Sequence, residues 1–438
     1  MTARIDGFSK LSKVDKIDWI VSNFTHDPEG FKKLLKQYWN DDSELQRIHD
    51  EFAENTISNF YLPLGIAPNF LINNEIYAIP MAVEESSVVA AASNAAKYWL
   101  DRGGFKAEVL RTEKVGQVHF TYSGDTSWLE EAFLALKPKL IQDLKPIMRN
   151  MEARGGGLLE LELRNKTSLL ENYFQLHATF ETKDAMGANF INSCLEHLAA
   201  TWEEEIAARE YPDGAHPNTE IVMSILSNYV PDCLVRAEVS CPVNELDEDA
   251  MDATLFARKM IQAVTIAQVE PFRAVTHNKG IMNGVDAVVL ATGNDFRAIE
   301  AGVHAYAARE GSYKGLTEAW IEEGQFTLRM DLPLALGTVG GLTRLHPLVR
   351  FSMEVLGQPS ARELMILVAV AGLAQNFAAL RSLVTTGIQQ GHMKMHLLNI
   401  LNQLGASTSE KEKVVAHFKT ATVSFSAAQE VLEQIRQS

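Results

Sequence analysis

The order of strand and helix patterns in the first half of this sequence is the feature that most constrains its fold. Residues 117–122 alternate polar and apolar side chains as a strand does, and residues 128–154 follow with helical spacing. After a run of three glycines come two further strand patterns, 159–164 and 173–180, and then a helical pattern at 187–208. This order predicts a small α+β unit of the split βαβ, ferredoxin-like type.

The chain around this unit is long enough for a second and larger core. Its 438 residues exceed the length of about 250–300 residues at which single cores stop growing. We predict a large, mostly helical domain made of residues 1–112 and 221–387, with the small unit inserted as residues 113–220. Residues 388–438 are polar with helical spacing, and we predict that they form a C-terminal helical flap that moves as a unit.

The charge and the cysteines argue against several kinds of partner. A formal net charge of −16 does not suit a phosphate backbone, so we expect no nucleic acid. The three cysteines, Cys194, Cys233 and Cys241, form no Cys-x-x-Cys pair, which indicates neither a disulfide framework nor a zinc site. We therefore expect no metal.

Two segments could carry a membrane signal, and neither indicates one. The N-terminus is charged throughout and lacks the apolar segment of a signal peptide. The longest uncharged run, residues 364–380, contains Gln375 and Asn376 and so fits a buried helix better than a membrane span. We expect a cytoplasmic protein.

The densest cluster of chemically useful residues lies at positions 276–295. Lys279 stands between Asn278 and Gly280, which predicts an irregular backbone close to a ligand. A lysine there could stabilise an oxyanion or form a Schiff base, or it could be an ordinary solvated loop residue. Asp295 follows an apolar segment, 285–290, that is typical of a buried strand, and it is either an active-site carboxylate or the N-cap of a following helix.

Three further positions could carry chemistry. Glu85 lies with Glu84 at the start of a predicted helix, 83–100, and is either a general acid or a solvated charge. His392 follows a glycine and is either a mobile acid or a capping residue. The segment 184–189, Asp-Ala-Met-Gly-Ala-Asn, precedes a helix and could let the backbone approach a phosphate. No Rossmann or Walker motif occurs, so a dinucleotide would be bound without a Rossmann domain.

Taken together, these segments resemble the family of 3-hydroxy-3-methylglutaryl-CoA (HMG-CoA) reductases of the soluble bacterial type, class II. The matching segments lie in order along nearly the whole chain: Glu54-Asn55-Thr56-Ile57, 84–93, 184–189, 276–284, 291–295 and 391–393.

The resemblance implies a role for each motif residue. Glu85, Lys279 and Asp295 would form the catalytic core, and His392 would be the acid on the flap. The residues that would bind HMG-CoA are Ser87, Arg273 and Asn283. Those that would bind the nicotinamide nucleotide are Asp184, Met186, Gly187 and Asn189. Sites in this family form at a subunit boundary, which implies a homodimer or a higher assembly of dimers.

The implied reaction is the four-electron reduction of HMG-CoA to mevalonate and CoA, by two hydride transfers through mevaldyl-CoA and mevaldehyde. Lys279 would stabilise the oxyanion, a role typically worth roughly 3 to 4 kcal/mol, and the Schiff-base role then drops out. His392 would protonate the CoA thiolate that leaves. Glu85 would protonate the aldehyde oxygen, provided that burial raises its pKa.

Two positions depart from the family pattern. Ser86 stands where the family usually has Pro, and Ser58 stands where it usually has Gly after Glu-Asn-Thr-Ile. Neither change removes a catalytic group, although Ser58 puts a side chain where the backbone would approach CoA.

NADPH is the favoured cofactor, with NADH as the alternative. A 2′-phosphate is bound by Arg or Lys, and the helix before the three glycines is rich in both. Its basic residues are Lys137, Lys139, Lys145, Arg149 and Arg154, of which we assign Arg149 to the cofactor. NAD-preferring relatives tend to have Asp where this chain has Met148.

Three functions remain as alternatives to the reduction of HMG-CoA. They are NAD-linked mevalonate oxidation, another CoA-thioester enzyme such as an acyltransferase, and a catalytically silent homologue.

Overall fold

The structure is a computed structural model, and it describes residues 4–211, 214, 219–246, 251–341, 345–385, 397–398, 400–418 and 423–437. The chain begins with three short helices, α1 Lys13–Phe24, α2 Pro28–Gln37 and α3 Ser43–Asp50. The side chains of Ser12, Asp27 and Asp42 cap their N-termini.

An antiparallel hairpin follows, with strands β1 Leu64–Ile72 and β2 Glu75–Ala82. Asn73 and Asn74 form its turn with φ of 50° and 73°. Asparagine tolerates this left-handed conformation, which the two central residues of a type I′ turn require.

The large core is built on a four-stranded antiparallel sheet. Its strands, in spatial order, are β3 Lys106–Val109, β8 Leu234–Pro242, β10 Gln325–Pro333 and β9 Thr317–Glu322. The helices that pack around it are α4 Val88–Leu100, α7 Ala253–Val269, α8 Pro271–Ala291 and α11 Ala361–Val384. Trp99 and Phe377 meet edge to face at 5.1 Å between ring centroids, which joins α4 to α11 in the core.

Helix α11 is the most deeply buried of these helices. By length and composition alone it could cross a membrane, but 78% of its most apolar window is buried inside the protein. The sequence prediction of a buried helix at 364–380 is confirmed, because α11 packs against α8, α4 and the sheet.

The small unit has its own four-stranded antiparallel sheet and two helices. Its strands, in spatial order, are β5 Gly157–Asn165, β6 Tyr173–Glu181, β4 Lys114–Tyr122 and β7 Thr219–Leu226. The helices are α5 Thr126–Glu152 and α6 Ala188–Ala208. This connectivity and strand order are those of the split βαβ arrangement. The sheet continues past Glu220, where we placed the boundary of the unit, because β7 pairs with β4.

Two short helices and one helix pair lie in the rest of the described chain. They are α9 Phe296–Ala307, α10 Pro347–Val355, α12 Thr408–His417 and α13 Phe425–Gln437. Arg436 on α13 donates to Glu410 on α12 at 2.8 Å, and Val414 and Leu432 are buried in a cluster of their own near the C-terminus. The fold as a whole is a mixed one in which helices and sheets pack together, as the sequence predicted.

Candidate active site

Lys279 lies on a regular helix, so our prediction of an irregular backbone there is wrong. Helix α8 continues from Pro271 to Ala291 without a break, and the strand predicted at 285–290 is its C-terminal part. A buried Asn278 is compatible with the helix because tertiary contacts satisfy its side chain. Its Nδ2 donates to the Lys314 carbonyl at 2.9 Å, and its Oδ1 accepts from Leu316 N at 3.0 Å.

The residues around Lys279 fix helix α8 to the core. His277 Nε2 lies 2.6 Å from Thr317 Oγ1 and 3.2 Å from Asn376 Nδ2. Burial lowers the pKa of His277 to about 3, so this imidazole is neutral and structural. Gly284 allows close approach to α11, since a Cβ there would stand 2.4 Å from the Ala371 carbonyl oxygen. These contacts present Lys279 from a rigid support.

Glu85 forms an ion pair with Lys279. Lys279 Nζ lies 2.9 Å from Glu85 Oε2, and the two side chains are 61% and 42% exposed. Glu85 precedes helix α4 rather than beginning it, because Ser87 adopts a left-handed conformation with φ of 79° and the helix starts at Val88. The predicted helix start at residue 83 is therefore wrong. The pair faces open space, where a substrate carbonyl can reach the ammonium group.

Two of the residues assigned to HMG-CoA, Arg273 and Asn283, lie on the same helix as Lys279. Asn283 follows Lys279 by one helical turn and therefore shares its face of α8. Arg273 lies in the first turn of the same helix, and burial lowers the pKa of its guanidinium. Gly280 adjoins Lys279, and a Cβ built on it would meet no atom within 4 Å. This side of the helix has room for a ligand.

The two departures from the family pattern do not obstruct the ion pair. Ser58 Oγ donates to the Leu35 carbonyl at 2.7 Å, so its side chain is held against the end of α2. Ser86 is exposed in the turn before α4.

Asp295 is the N-cap of α9, as one of the two interpretations of the sequence predicted. Its Oδ1 accepts from the backbone N–H of Arg297 at 3.1 Å and of Ala298 at 3.2 Å. Burial raises the pKa of this carboxyl, but the Arg297 side chain and the two capping amides outweigh burial and hold the pKa below its usual value. Asp295 is therefore an anion.

Lys279 and Asp295 of one chain are far apart. Lys279 lies near the middle of α8, and Asp295 lies four residues beyond Ala291, the last residue of that helix. A rise of 1.5 Å per residue separates Lys279 from Ala291 by about 18 Å along the helix axis. A lysine side chain is much shorter than this. The structure therefore brings Glu85 to Lys279 within one chain and does not bring Asp295 to them.

Asp295 lies instead beside the segment 184–189. The backbone N–H of Gly337 donates to Asn294 Oδ1 at 2.8 Å, and the next residue, Thr338, donates its N–H to the Asp184 carbonyl at 2.8 Å. Asp184 also accepts the N–H of Ala361 through its side chain at 2.8 Å, so this carboxylate caps α11. One chain thus carries two half-sites, a Glu85–Lys279 half and an Asp295–nucleotide-motif half.

The remaining motif residues surround the start of α6. Gly187 is its N-cap with φ of 98° and carries no side chain to accept the N–H groups of the first turn. Met186 is half-buried and Asn189 is exposed. A helix start of this kind is suited to an anion such as a pyrophosphate.

The structure changes one part of the cofactor prediction. Met148 is buried and its Sδ accepts the Leu158 N–H at 3.4 Å, so this position does not face a ligand and cannot report cofactor choice. Arg149 is exposed in the last turn of α5, where it can reach a bound anion.

Two other sequence predictions concern His392 and the absence of a metal. His392, with Gly391 and Met393, lies outside the described residues. Among the residues that the structure describes, no group of three or more His, Cys, Asp or Glu side chains is placed to hold a metal. Sequence analysis missed Lys114 and Thr182, which underlie the turn before residue 185 and carry no local motif.

A family model described as hydroxymethylglutaryl-coenzyme A reductase matches residues 20–397. The chain belongs to the HMG-CoA reductase family. It is 37% identical over 441 residues to the 3-hydroxy-3-methylglutaryl-coenzyme A reductase of Archaeoglobus fulgidus, covering 100% of this chain and 95% of that protein. It is also 34% identical to a probable HMG-CoA reductase of Borreliella burgdorferi, over 89% of this chain and 88% of the relative.

Solved structures of this family have the same fold. The class II HMG-CoA reductase of Streptococcus pneumoniae bound to NADPH in open conformations matches with a TM-score of 0.71 and 36% identity, covering 93% of this chain and 99% of that one. A second structure from S. pneumoniae matches with a TM-score of 0.73 and 35% identity, over 99% and 100% of the two chains. The family and fold class predicted from the sequence are confirmed, and the chain is an oxidoreductase of this family.

Proposed function

We propose that this protein converts HMG-CoA and two NADPH into mevalonate and CoA, as a cytoplasmic enzyme in the biosynthetic direction. The observation that carries the proposal is the Lys279–Glu85 ion pair at 2.9 Å, held by a rigid helix in a chain of this family. A preorganised cation beside a carboxyl group is what the reduction of a thioester carbonyl needs, since negative charge develops on oxygen.

We propose that the working site is completed by a second copy of the chain. Lys279 lies near the middle of α8 and Asp295 lies beyond the C-terminal end of that helix, so we propose that the Asp295 that orients Lys279 comes from the partner subunit. The exposed surface of α8 near Lys279 supports this, because it presents Phe272, 87% exposed, and Val275, 53% exposed. Large apolar side chains on a surface are typical of a protein–protein contact. The result is a homodimer or an assembly of dimers.

We propose that NADPH lies across the Asp295 half. The N-terminal amides of α6 would hold its pyrophosphate, with Met186, Gly187 and Asn189 around them and Arg149 near the 2′-phosphate. Asp184 serves this site indirectly, since its carboxylate is committed to Ala361 N. Each NADPH would supply one hydride when bound, so two molecules would be used in succession for each HMG-CoA.

The chain's own residues then manage charge and protons. The Lys279 ammonium stabilises the oxyanion in both reduction steps and needs no proton transfer of its own. Glu85 lies close enough to Lys279 to protonate the aldehyde oxygen in the second step, once substrate and partner subunit exclude water from it. We assign protonation of the CoA thiolate to His392 on the flap, which we place at 388–438. We place the small domain from residue 113 to the end of β7, which pairs with β4, and the large domain at 1–112 and from the end of β7 to residue 387.

The structure argues against an acyltransferase. Such an enzyme needs a reactive nucleophile, but Cys194, Cys233 and Cys241 are buried. Burial raises the pKa of Cys194 to about 12 and of Cys233 and Cys241 to about 11. Thiols of this kind stay protonated and unreactive.

The test of the proposal is NADPH oxidation with HMG-CoA as substrate, followed at the nicotinamide absorbance. Lys279→Met should lower kcat by about 10²–10³, the usual effect of removing one oxyanion donor. Lys97→Met, which removes an exposed lysine from the neighbouring helix α4, is the control and should leave kcat unchanged. A Lys279→Met enzyme as fast as the control would remove the proposed role of Lys279.

A second test separates the two acids. His392→Gln should slow reduction of HMG-CoA far more than reduction of free mevaldehyde, because only the first substrate releases a thiolate. Glu85→Gln should slow both reactions, because the aldehyde is reduced in each. Equal losses in both half-reactions for His392→Gln would contradict this division. Rates of mevalonate oxidation with NAD, measured in parallel, decide whether the degradative alternative applies.

A further inference from the structure

Lys114 is a buried cation in the small domain that the reaction does not use. It is the first residue of β4, close to the junction with the large domain, and only 5% of its surface is exposed. Burying an ammonium group is costly, and burial lowers its pKa. A lysine retained in such a place needs polar partners that repay the cost.

The partners of Lys114 are all in the turn that leads into the nucleotide motif. Its Nζ donates to Thr182 Oγ1 and, at 3.0 Å, to the Ala185 carbonyl. Thr182 Oγ1 donates to the same carbonyl at 2.7 Å, and Ala185 N donates to the Thr182 carbonyl at 3.0 Å. The turn is strained at Lys183, whose φ is 52°. The hydrogen bonds from Lys114 thus stabilise a strained turn.

The Thr182 side chain packs against Gly187 at the start of α6. It is fully buried, and a Cβ placed on Gly187 would lie 2.6 Å from its methyl carbon. The N-cap of α6 therefore rests directly on the side chain that Lys114 holds. Any rotation of Thr182 would move the amides of the first turn.

Lys114 also lies against the Asp295 side of the site. One small cavity between the two domains is lined by Lys114, by Met186 and Ala188 of the motif, and by Ala298 and Gly302 of α9. Helix α9 is the helix that Asp295 caps. The lysine therefore lines the same cavity as the nucleotide motif and the helix that Asp295 caps.

We infer that Lys114 is a positioning residue for the dinucleotide: through Thr182 and the Ala185 carbonyl it sets the amides at the start of α6 to receive the pyrophosphate. It touches neither cofactor nor substrate. The inference rests on the proposed function, in that residues 184–189 are taken as the nucleotide site. It predicts a defect in cofactor binding with HMG-CoA binding preserved, which a general loss of structure would not produce.

The test is a KM comparison on the full-length enzyme, with NADPH affinity measured directly by fluorescence titration. Lys114→Met should raise the KM and Kd for NADPH by about tenfold, because a hydrogen bond to a charged group is lost. The KM for HMG-CoA should change by less than about twofold, since the two half-sites are separate. Lys166→Met is the matched control, in the β5–β6 turn at the opposite end of the same sheet, and should behave as wild type.

Thr182 provides a second pair of variants if Lys114→Met does not fold. Thr182→Val keeps the shape of the side chain but removes the hydroxyl, so it should raise the KM for NADPH. Thr182→Ser keeps the hydroxyl, so its KM for NADPH should stay close to that of the wild type. Wild-type NADPH affinity in Lys114→Met or Thr182→Val would overturn the inference, and so would equal rises in both KM values. If wild-type enzyme binds neither NADPH nor NADH, the proposed function itself fails instead.

Discussion

Activity in mixed dimers should show that each site takes Lys279 from one chain and Asp295 from the other. Lys279→Met and Asp295→Asn should each lower kcat by about 10²–10³ when assayed alone. In a mixed dimer one site carries both changes and the other carries neither. Random pairing makes about half of all dimers mixed, and half of their sites are intact, so a mixture should regain about a quarter of wild-type activity.

The expected recovery of activity depends on Lys279 and Asp295 belonging to different half-sites. Within one chain about 18 Å of helix separates Lys279 from Ala291, which lies four residues before Asp295, whereas Lys279 Nζ lies 2.9 Å from Glu85 Oε2. The assay is NADPH oxidation by chains that are coexpressed with different tags. The unfractionated mixture should show about a quarter of wild-type activity, and mixed dimers purified through both tags should show about half.

The same geometry supplies the control. Glu85→Gln mixed with Lys279→Met should regain nothing, because these residues belong to the same half and every site then lacks one of them. Recovery in this control, or no recovery with Asp295→Asn, would refute the assignment of the halves to different subunits.

Three further outcomes follow from single contacts. Gly284→Ala should lower the free energy of unfolding by about 1–3 kcal/mol, because the added Cβ would meet the backbone of α11. Gly280→Ala on the same helix adds a Cβ that meets no atom within 4 Å, and it should raise the free energy of unfolding by up to about 1 kcal/mol because alanine has the higher helix propensity. Chemical denaturation measures both changes. Asp286 is half-buried, and desolvation together with its hydrogen bond to Glu300 raises the pKa of its carboxyl well above the usual range. The folded state therefore keeps a proton that the unfolded state loses above about pH 4, so stability should fall as pH rises from there through neutral. Asp286→Asn should flatten that dependence in thermal unfolding, and an unchanged pH profile would count against it. Arg149→Ala should lower kcat/KM with NADPH more than with NADH, and equal losses with both would remove Arg149 from the 2′-phosphate.

The parts of the fold that were predicted correctly have strong periodicity. Strand β4 alternates buried and half-buried residues along its whole length, so its period of two was plain in the sequence. The buried helix α11 was recognisable from its uncharged run. The last strand of the small sheet was assigned to the wrong domain, because pairing with β4 is a long-range contact that local pattern does not show.

The environment of Lys279 was mispredicted for a physical reason. Asn and Gly have low helix propensity, so Asn278, Gly280 and Gly284 argued against a helix. Tertiary contacts overrode that preference: Asn278 is satisfied by the chain before β9, and Gly284 permits contact with α11. The apolar run after them could equally be a strand or a buried helix on sequence alone.

The division of the site into halves and the role of Lys114 could not be predicted from the sequence. Local sequence context singled out Lys279, Asp295, Glu85, His392 and the segment 184–189 as candidates, and the family resemblance gave their roles but not their distances. Lys114 acts only through Thr182 and Ala185, about seventy residues away along the chain, and such a contact has no sequence signature.

The stoichiometry of the reaction tests the central claim most directly. Wild-type enzyme is given HMG-CoA with limiting NADPH, and oxidised cofactor and free CoA thiol are measured in the same sample. A four-electron reduction of a thioester predicts two NADPH oxidised for each thiol released. Release of thiol without oxidation of NADPH, or no turnover with either NADPH or NADH, would contradict it.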